Sequence, residues 1–176
     1  MPSDRFSQDY LTDKDWADLK QAFIPEGALI DIVVLDLSEY DWDVFFKTLL
    51  NQFKTIEVKS KGTIINVESK EYAFKNFKKY FDFLEEGEPA SFFVCMGEVQ
   101  LHFTIYDVDM VELTLNPYKI NSKASILVLL NLMFELASNL KRTIKLKLDG
   151  YSDSLFEFNS AGKLKIYPEN MPEIEL

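Results

Sequence analysis

The chain is poor in the residues on which most protein chemistry depends. Its 176 residues include one cysteine, Cys95, and one histidine, His102. A lone cysteine closes no internal disulfide, which points to a reducing compartment. Zinc or non-haem iron centres built from clustered His and Cys are excluded in their usual form. Only two of the 19 basic residues are arginines, Arg5 and Arg142. Phosphate recognition relies on arginine forks and positive patches, so nucleic acid is a poor partner, and an anionic membrane is no better. The six glycines form neither a P-loop nor a G-x-G-x-x-G run. Acids stand at the N-terminus where a signal peptide needs basic and then apolar residues. No stretch reaches the roughly 18 uncharged apolar residues of a membrane span. The expectation is a cytoplasmic protein with no cofactor and no metal.

What is present describes a packed globule with an acidic exterior. The composition is 47% hydrophobic and 27% charged, and a chain of this length buries roughly 70% of its extended surface without a staple. The net charge of −10 is uneven, with −6 in residues 1–60, −4 in 61–120 and zero in 121–176. Opposite fields speed encounter, so a basic protein is the natural complement.

The periodicities read as one continuous series of elements. "TDKDWADLKQAF" (12–23) is a helix capped by Thr12, with Trp16, Leu19, Ala22 and Phe23 on one stripe and Pro25 and Gly27 as its stop. "ALIDIVVLDL" (28–37) is a buried strand. "SEYDWDVFFKTLLNQF" (38–53) is a helix with Ser38 as N-cap and Asp41 as the capping-box acid, so Asp41→Ala should cost about 1 kcal/mol. A hairpin around Lys61-Gly62 and a helix from Ser69 to Gly87 follow, the latter with positions 74, 77, 81 and 84 on its inner stripe. Residues 91–116 form a three-stranded meander, 121–142 a strongly apolar helix, and 143–168 three short strands. The fold class is α+β, a single domain over 1–176, with a mostly antiparallel sheet of meander and hairpins packed with about four helices. Residues 169–176 are expected to be a loose acidic tail.

Catalytic constellations are scarce. Asp36, at a strand end, resembles the nucleophile of haloacid-dehalogenase-type phosphatases, but Ser38 stands where those enzymes carry their second aspartate. Asp36 is therefore read as structural. With a turn at Gly97-Glu98, Cys95 faces Gln100 and lies diagonal to His102. Even so, a strand cysteine without cationic neighbours is normally an inert small hydrophobe, expected to be buried. Asp107 and Asp109 resemble the metal-binding pair of glycosyltransferases, yet aspartates in a hairpin loop are simply good turn formers.

The meander holds the candidate surface. Val99, Leu101, Phe103 and Ile105 share one face of its second strand, while Gln100, His102, Thr104 and Tyr106 share the other. Two acidic groups compete as a binding site: Glu39, Asp41 and Asp43 at a helix start, and Asp107, Asp109 and Glu112 around the hairpin. The first is explained by capping and the helix dipole. The second adjoins Tyr106, and aromatic anchors beside charges are common at interface hot spots. The partner-binding residues are therefore expected to be Tyr106, Asp107, Asp109, Glu112, His102 and Thr104.

The acidic, cysteine-poor α+β layout and the "FTIYDVDMVELTLNP" hairpin resemble the immunity proteins of bacterial polymorphic and contact-dependent toxins. That resemblance implies a non-enzymatic inhibitor that binds a cognate toxin domain, often a basic nuclease, and occludes its active site. Two alternatives remain open. One is a small enzyme with a cryptic carboxylate or Cys-His site. The other is an oligomeric assembly subunit, such as a homodimer joined through residues 124–140.

Overall fold

The computed structural model describes residues 11–24, 28–53, 55–60, 63–65, 75 and 77–172. In chain order the elements are helix α1 (Asp13–Gln21), strand β1 (Ile30–Val34), helix α2 (Glu39–Gln52), β2 (Thr55–Ser60), β3 (Thr63–Ile65), α3 (Lys79–Glu85), β4 (Ser91–Met96), β5 (Val99–Thr104), β6 (Val111–Leu115), a 3-10 turn (Pro117–Lys119), α4 (Lys123–Leu140), β7 (Ile144–Leu148), β8 (Ser154–Phe158), β9 (Leu164–Ile166) and a second 3-10 turn (Pro168–Asn170). The strands form one sheet in the order β3-β2-β4-β5-β6-β1-β7-β8-β9. Every described pairing in it is antiparallel. The fold is α+β, a single domain, as the alternating and helical periods imply.

Local signals start the helices. Thr12 with Asp15, Ser38 with Asp41 and Ser122 with Ser125 each form a reciprocal capping box at the starts of α1, α2 and α4. Each box satisfies backbone donors that would otherwise lack an intrahelical partner. Trp16, Leu19, Ala22 and Phe23 are all buried, as the α1 stripe requires. The strand read over 28–37 is shorter, because Asp36 takes a left-handed backbone (φ 57) that ends it before Ser38 caps α2. Asp tolerates that conformation better than most side chains. Of the expected helix over 69–87, the Ser69 cap and position 74 lie outside the described residues, as do Pro25, Gly27 and the Lys61-Gly62 turn. Tyr80, rather than a residue of the predicted stripe alone, is the fully buried aromatic of α3.

All four described helices reach the same face of the sheet through aromatic contacts. Phe23, after α1, meets Phe156; Phe45 of α2 meets Phe103; Tyr80 of α3 meets Phe92; Phe134 of α4 meets Phe158. Phe92 and Phe103, paired across β4 and β5, stack with centroids 4.6 Å apart, an arrangement worth about 1 kcal/mol beyond area burial. Helix α4 has a mean hydropathy of 1.3 over 18 residues, and half of that window is buried. It packs on α2, where Asn139 donates to Thr48 Oγ1 at 3.1 Å, and across β5, β7 and β8. Apart from the exposed Ala124, its apolar side chains are buried or half-buried, so packing within the chain accounts for most of its apolar run. Of the segment expected to be a loose tail, residues 169–172 are described and are docked. Met171 is in the core, and the Pro172 carbonyl accepts from Gln21 at 2.7 Å.

Candidate functional site

The two acidic groups that the sequence presents as rivals meet at one end of the molecule. Strand β1 ends beside the start of β6, Val34 opposite Val111, so the strand-to-helix link at 35–38 and the loop at 105–110 project from the same sheet end. Two hydrogen bonds join them. The Leu37 amide donates to the Asp109 carbonyl at 2.7 Å, and Trp42 Nε1 of α2 donates to the Val108 carbonyl at 2.5 Å. Trp42 is otherwise buried among Phe45, Phe46 and Phe81, so its indole N–H needs such a partner. Within the loop Asp107 Oδ1 accepts from the amides of Val108 and Asp109 at 2.6 and 3.4 Å. That arrangement sets the turn without a glycine.

Charge at this end is only partly compensated. Asp41 is buried, accepting from Ser38 N and Oγ and from Arg142, each at 2.8 Å. Burial works against its charged form, but the Arg142 and Ser38 bonds outweigh it and hold the carboxyl below its ordinary value. Glu39 pairs with Lys78 and Asp43 with Lys47. The Lys78 hydrogen bond, then its charge, lowers the Glu39 carboxyl. Asp36, Asp107 and Asp109 are exposed, and among the described residues no ion pair involves them. Large apolar side chains stand out beside them: Tyr40 is 75% exposed, Tyr106 72% and Val108 57%, with Leu35 nearby.

The six residues expected to form one binding surface separate into two groups. Tyr106, Asp107 and Asp109 lie in the end loop. His102, Thr104 and Glu112 lie on the sheet face opposite the helices and are engaged there. The His102 ring stacks on Phe93 at 4.5 Å, with Nε2 3.4 Å from Thr104 Oγ1. Burial, and then the Lys59 charge, pushes His102 below its ordinary value. Thr104 is buried, its hydroxyl 2.7 Å from Ser91 Oγ. Glu112 pairs with Lys147 at 3.1 Å across β1. Compared with protein-family models, curated proteins and solved structures, the chain matches none.

The Cys95 geometry follows the expected register. Cys95 pairs with Gln100 and Phe93 with His102, and all four line a shallow depression of about 620 Å³ on this face. Cys95 is half-buried rather than buried, because this face carries no helix among the described residues. No hydrogen bond joins it to His102. Among the described residues, no three His, Cys, Asp or Glu side chains come together as a metal-binding group.

Two residues escaped sequence reasoning. Asp31, in the middle of the central strand, is only 3% exposed. It accepts from Thr114 Oγ1 at 2.7 Å and stands opposite Lys147. Burial raises its carboxyl above the ordinary value against the Thr114 bond, helped by Asp149 and Glu112. Its signal was available: it is the only acid within "ALIDIVVL". Arg142, one of two arginines, reaches Asp41 because Lys141 closes α4 with a left-handed turn (φ 56).

Proposed function

We propose that the chain is a non-catalytic, acidic protein-binding inhibitor of the immunity type. It would act in the bacterial cytoplasm by laying its carboxylates over the active site of a basic, nuclease-type toxin. The observation that supports this reading is the convergence at one end of exposed carboxylates on Asp36, Asp107 and Asp109 with exposed Tyr40, Tyr106 and Val108. Carboxylates there take the place of substrate phosphate, while the tyrosines supply the amphipathic anchors that dominate interface energetics. Because Trp42 and Leu37 already hold the loop, little ordering cost remains to be met on binding.

The test is association with a basic, nuclease-type toxin domain, sought among the genes adjoining this chain's own, measured by stopped-flow and by protection of cells. Changing Tyr106→Ala, Asp107→Asn and Asp109→Asn together keeps the turn's acceptor and removes two charges and one anchor. It should leave circular dichroism unchanged, weaken binding at least about 100-fold and abolish protection, since the loss of little more than one hot spot of about 2 kcal/mol already has that effect. Association of the unaltered chain should slow steeply above physiological salt, where the screening length is about 8 Å. A folded triple variant that binds and protects at full strength removes this end from consideration.

A further inference from the structure

A second concave feature lies far from the acidic end. Helix α4 separates the two: its C-terminal side delivers Arg142 to Asp41, and its 18 residues span about 27 Å. Between the N-terminal end of α4, the Pro117–Lys119 turn and the outer side of α1 runs a groove of about 960 Å³, within the size range of small-molecule sites. Its shape follows from α1. The stripe Trp16, Leu19, Ala22 and Phe23 is buried, which turns Ala17, Lys20 and Ile24 toward the groove. Ala17 is exposed and has too short a side chain to fill the gap. The floor includes Trp16 and Ile126, both buried, and is predominantly apolar.

The polar groups at this groove have a sign opposite to the rest of the protein. Lys20 and Lys123 both line it, against the single acid Asp13, in a chain whose net charge is −10. Both lysines are exposed, and among the described residues neither is in an ion pair. The Lys123 ammonium lies 4.9 Å from the Trp16 ring centroid, which places it over the apolar floor. An apolar trough with two uncompensated ammonium groups is complementary to one kind of molecule: an apolar chain ending in an anion. We propose that the groove binds a small amphipathic carboxylate of the medium-chain acyl type. Its chain covers Trp16 and Ile126, and its carboxylate is taken by Lys20 and Lys123. This site is independent of the acidic end, and either can fail without the other.

The experiment is calorimetric titration of the full chain with dodecanoate, dodecanol and dodecyltrimethylammonium, each below its micelle concentration. Dodecanoate should bind saturably at one site, at least tenfold tighter than the alcohol and tighter still than the cation. The double change Lys20→Glu and Lys123→Glu, both on exposed positions, should leave circular dichroism unchanged and reverse the order of carboxylate and cation. Ala17→Phe should abolish binding of all three; should that variant fail to fold, the lysine pair alone decides. Equal affinity for the three amphiphiles, or an unchanged order after the lysine reversal, overturns the proposal. Silence toward all three also overturns it and leaves the groove to a protein segment.

Discussion

Replacing Asp41 by alanine tests the join between helix capping and tertiary structure. Two separate losses follow. The capping box disappears, with both bonds from Ser38 to the carboxylate, a change of about 1 kcal/mol. The Arg142 bond also goes. Charge-assisted hydrogen bonds contribute about 1.5–3 kcal/mol, but the Arg142 side chain is 33% exposed and water replaces part of the interaction, so the lower end applies. Together the loss is about 2–3 kcal/mol, above the roughly 1 kcal/mol that capping alone implies. For a chain of this size that shifts the melting temperature by roughly 5–10 °C. Urea unfolding followed by tryptophan fluorescence measures it, since Trp42 sits one residue away in the core. The pH dependence has a definite sign. Asp41 is held below its ordinary 3.8 in the folded state, so its contribution is complete above that value and vanishes as pH falls through the folded value. The gap between the parent chain and Asp41→Ala should therefore be constant from pH 5 to 7 and close in stronger acid. A loss below about 0.5 kcal/mol, the size of a neutral surface change, or a gap indifferent to acid, would refute this account.

Asp31→Asn should be at least as stable as the parent at pH 7. The raised carboxyl opposes folding when ionised, and that opposition is relieved as pH falls toward the ordinary 3.8, so the advantage shrinks in acid unfolding curves. A destabilised Asp31→Asn at neutral pH would mean the charge itself holds the central strand. Gly162→Ala should cost about 1–2 kcal/mol by thermal unfolding, because Gly162 has φ 74 and a Cβ there would come within 2.6 Å of the Phe134 ring. Alkylation of the half-buried Cys95 should accelerate in urea, and Cys95→Ser should retain full protection in cells. Rapid native-state alkylation with loss of protection would instead favour a Cys-His centre.

What the sequence by itself determined was everything that depends on neighbours along the chain. Thr12, Ser38 and Ser122 start helices because a cap and its partner are three residues apart. The meander's two faces were legible because strand alternation has a period of two, and even the Cys95–Gln100 pairing followed from the position of Gly97. What only the tertiary structure decided depends on long separations. Nothing local places β1 between β6 and β7, because those pairings join residues about 80 and 110 positions apart whose apolar alternation fits other partners equally well. That placement puts Asp31 in the middle of the sheet, beside Thr114 and Lys147. It also brings the 105–110 loop to the start of α2, where Trp42 and Val108, 66 residues apart, share a hydrogen bond. The acidic groups looked like alternatives because their separation in sequence carries no distance. A buried indole that needs an acceptor, and the Leu37 amide that finds one in the Asp109 carbonyl, make them one surface.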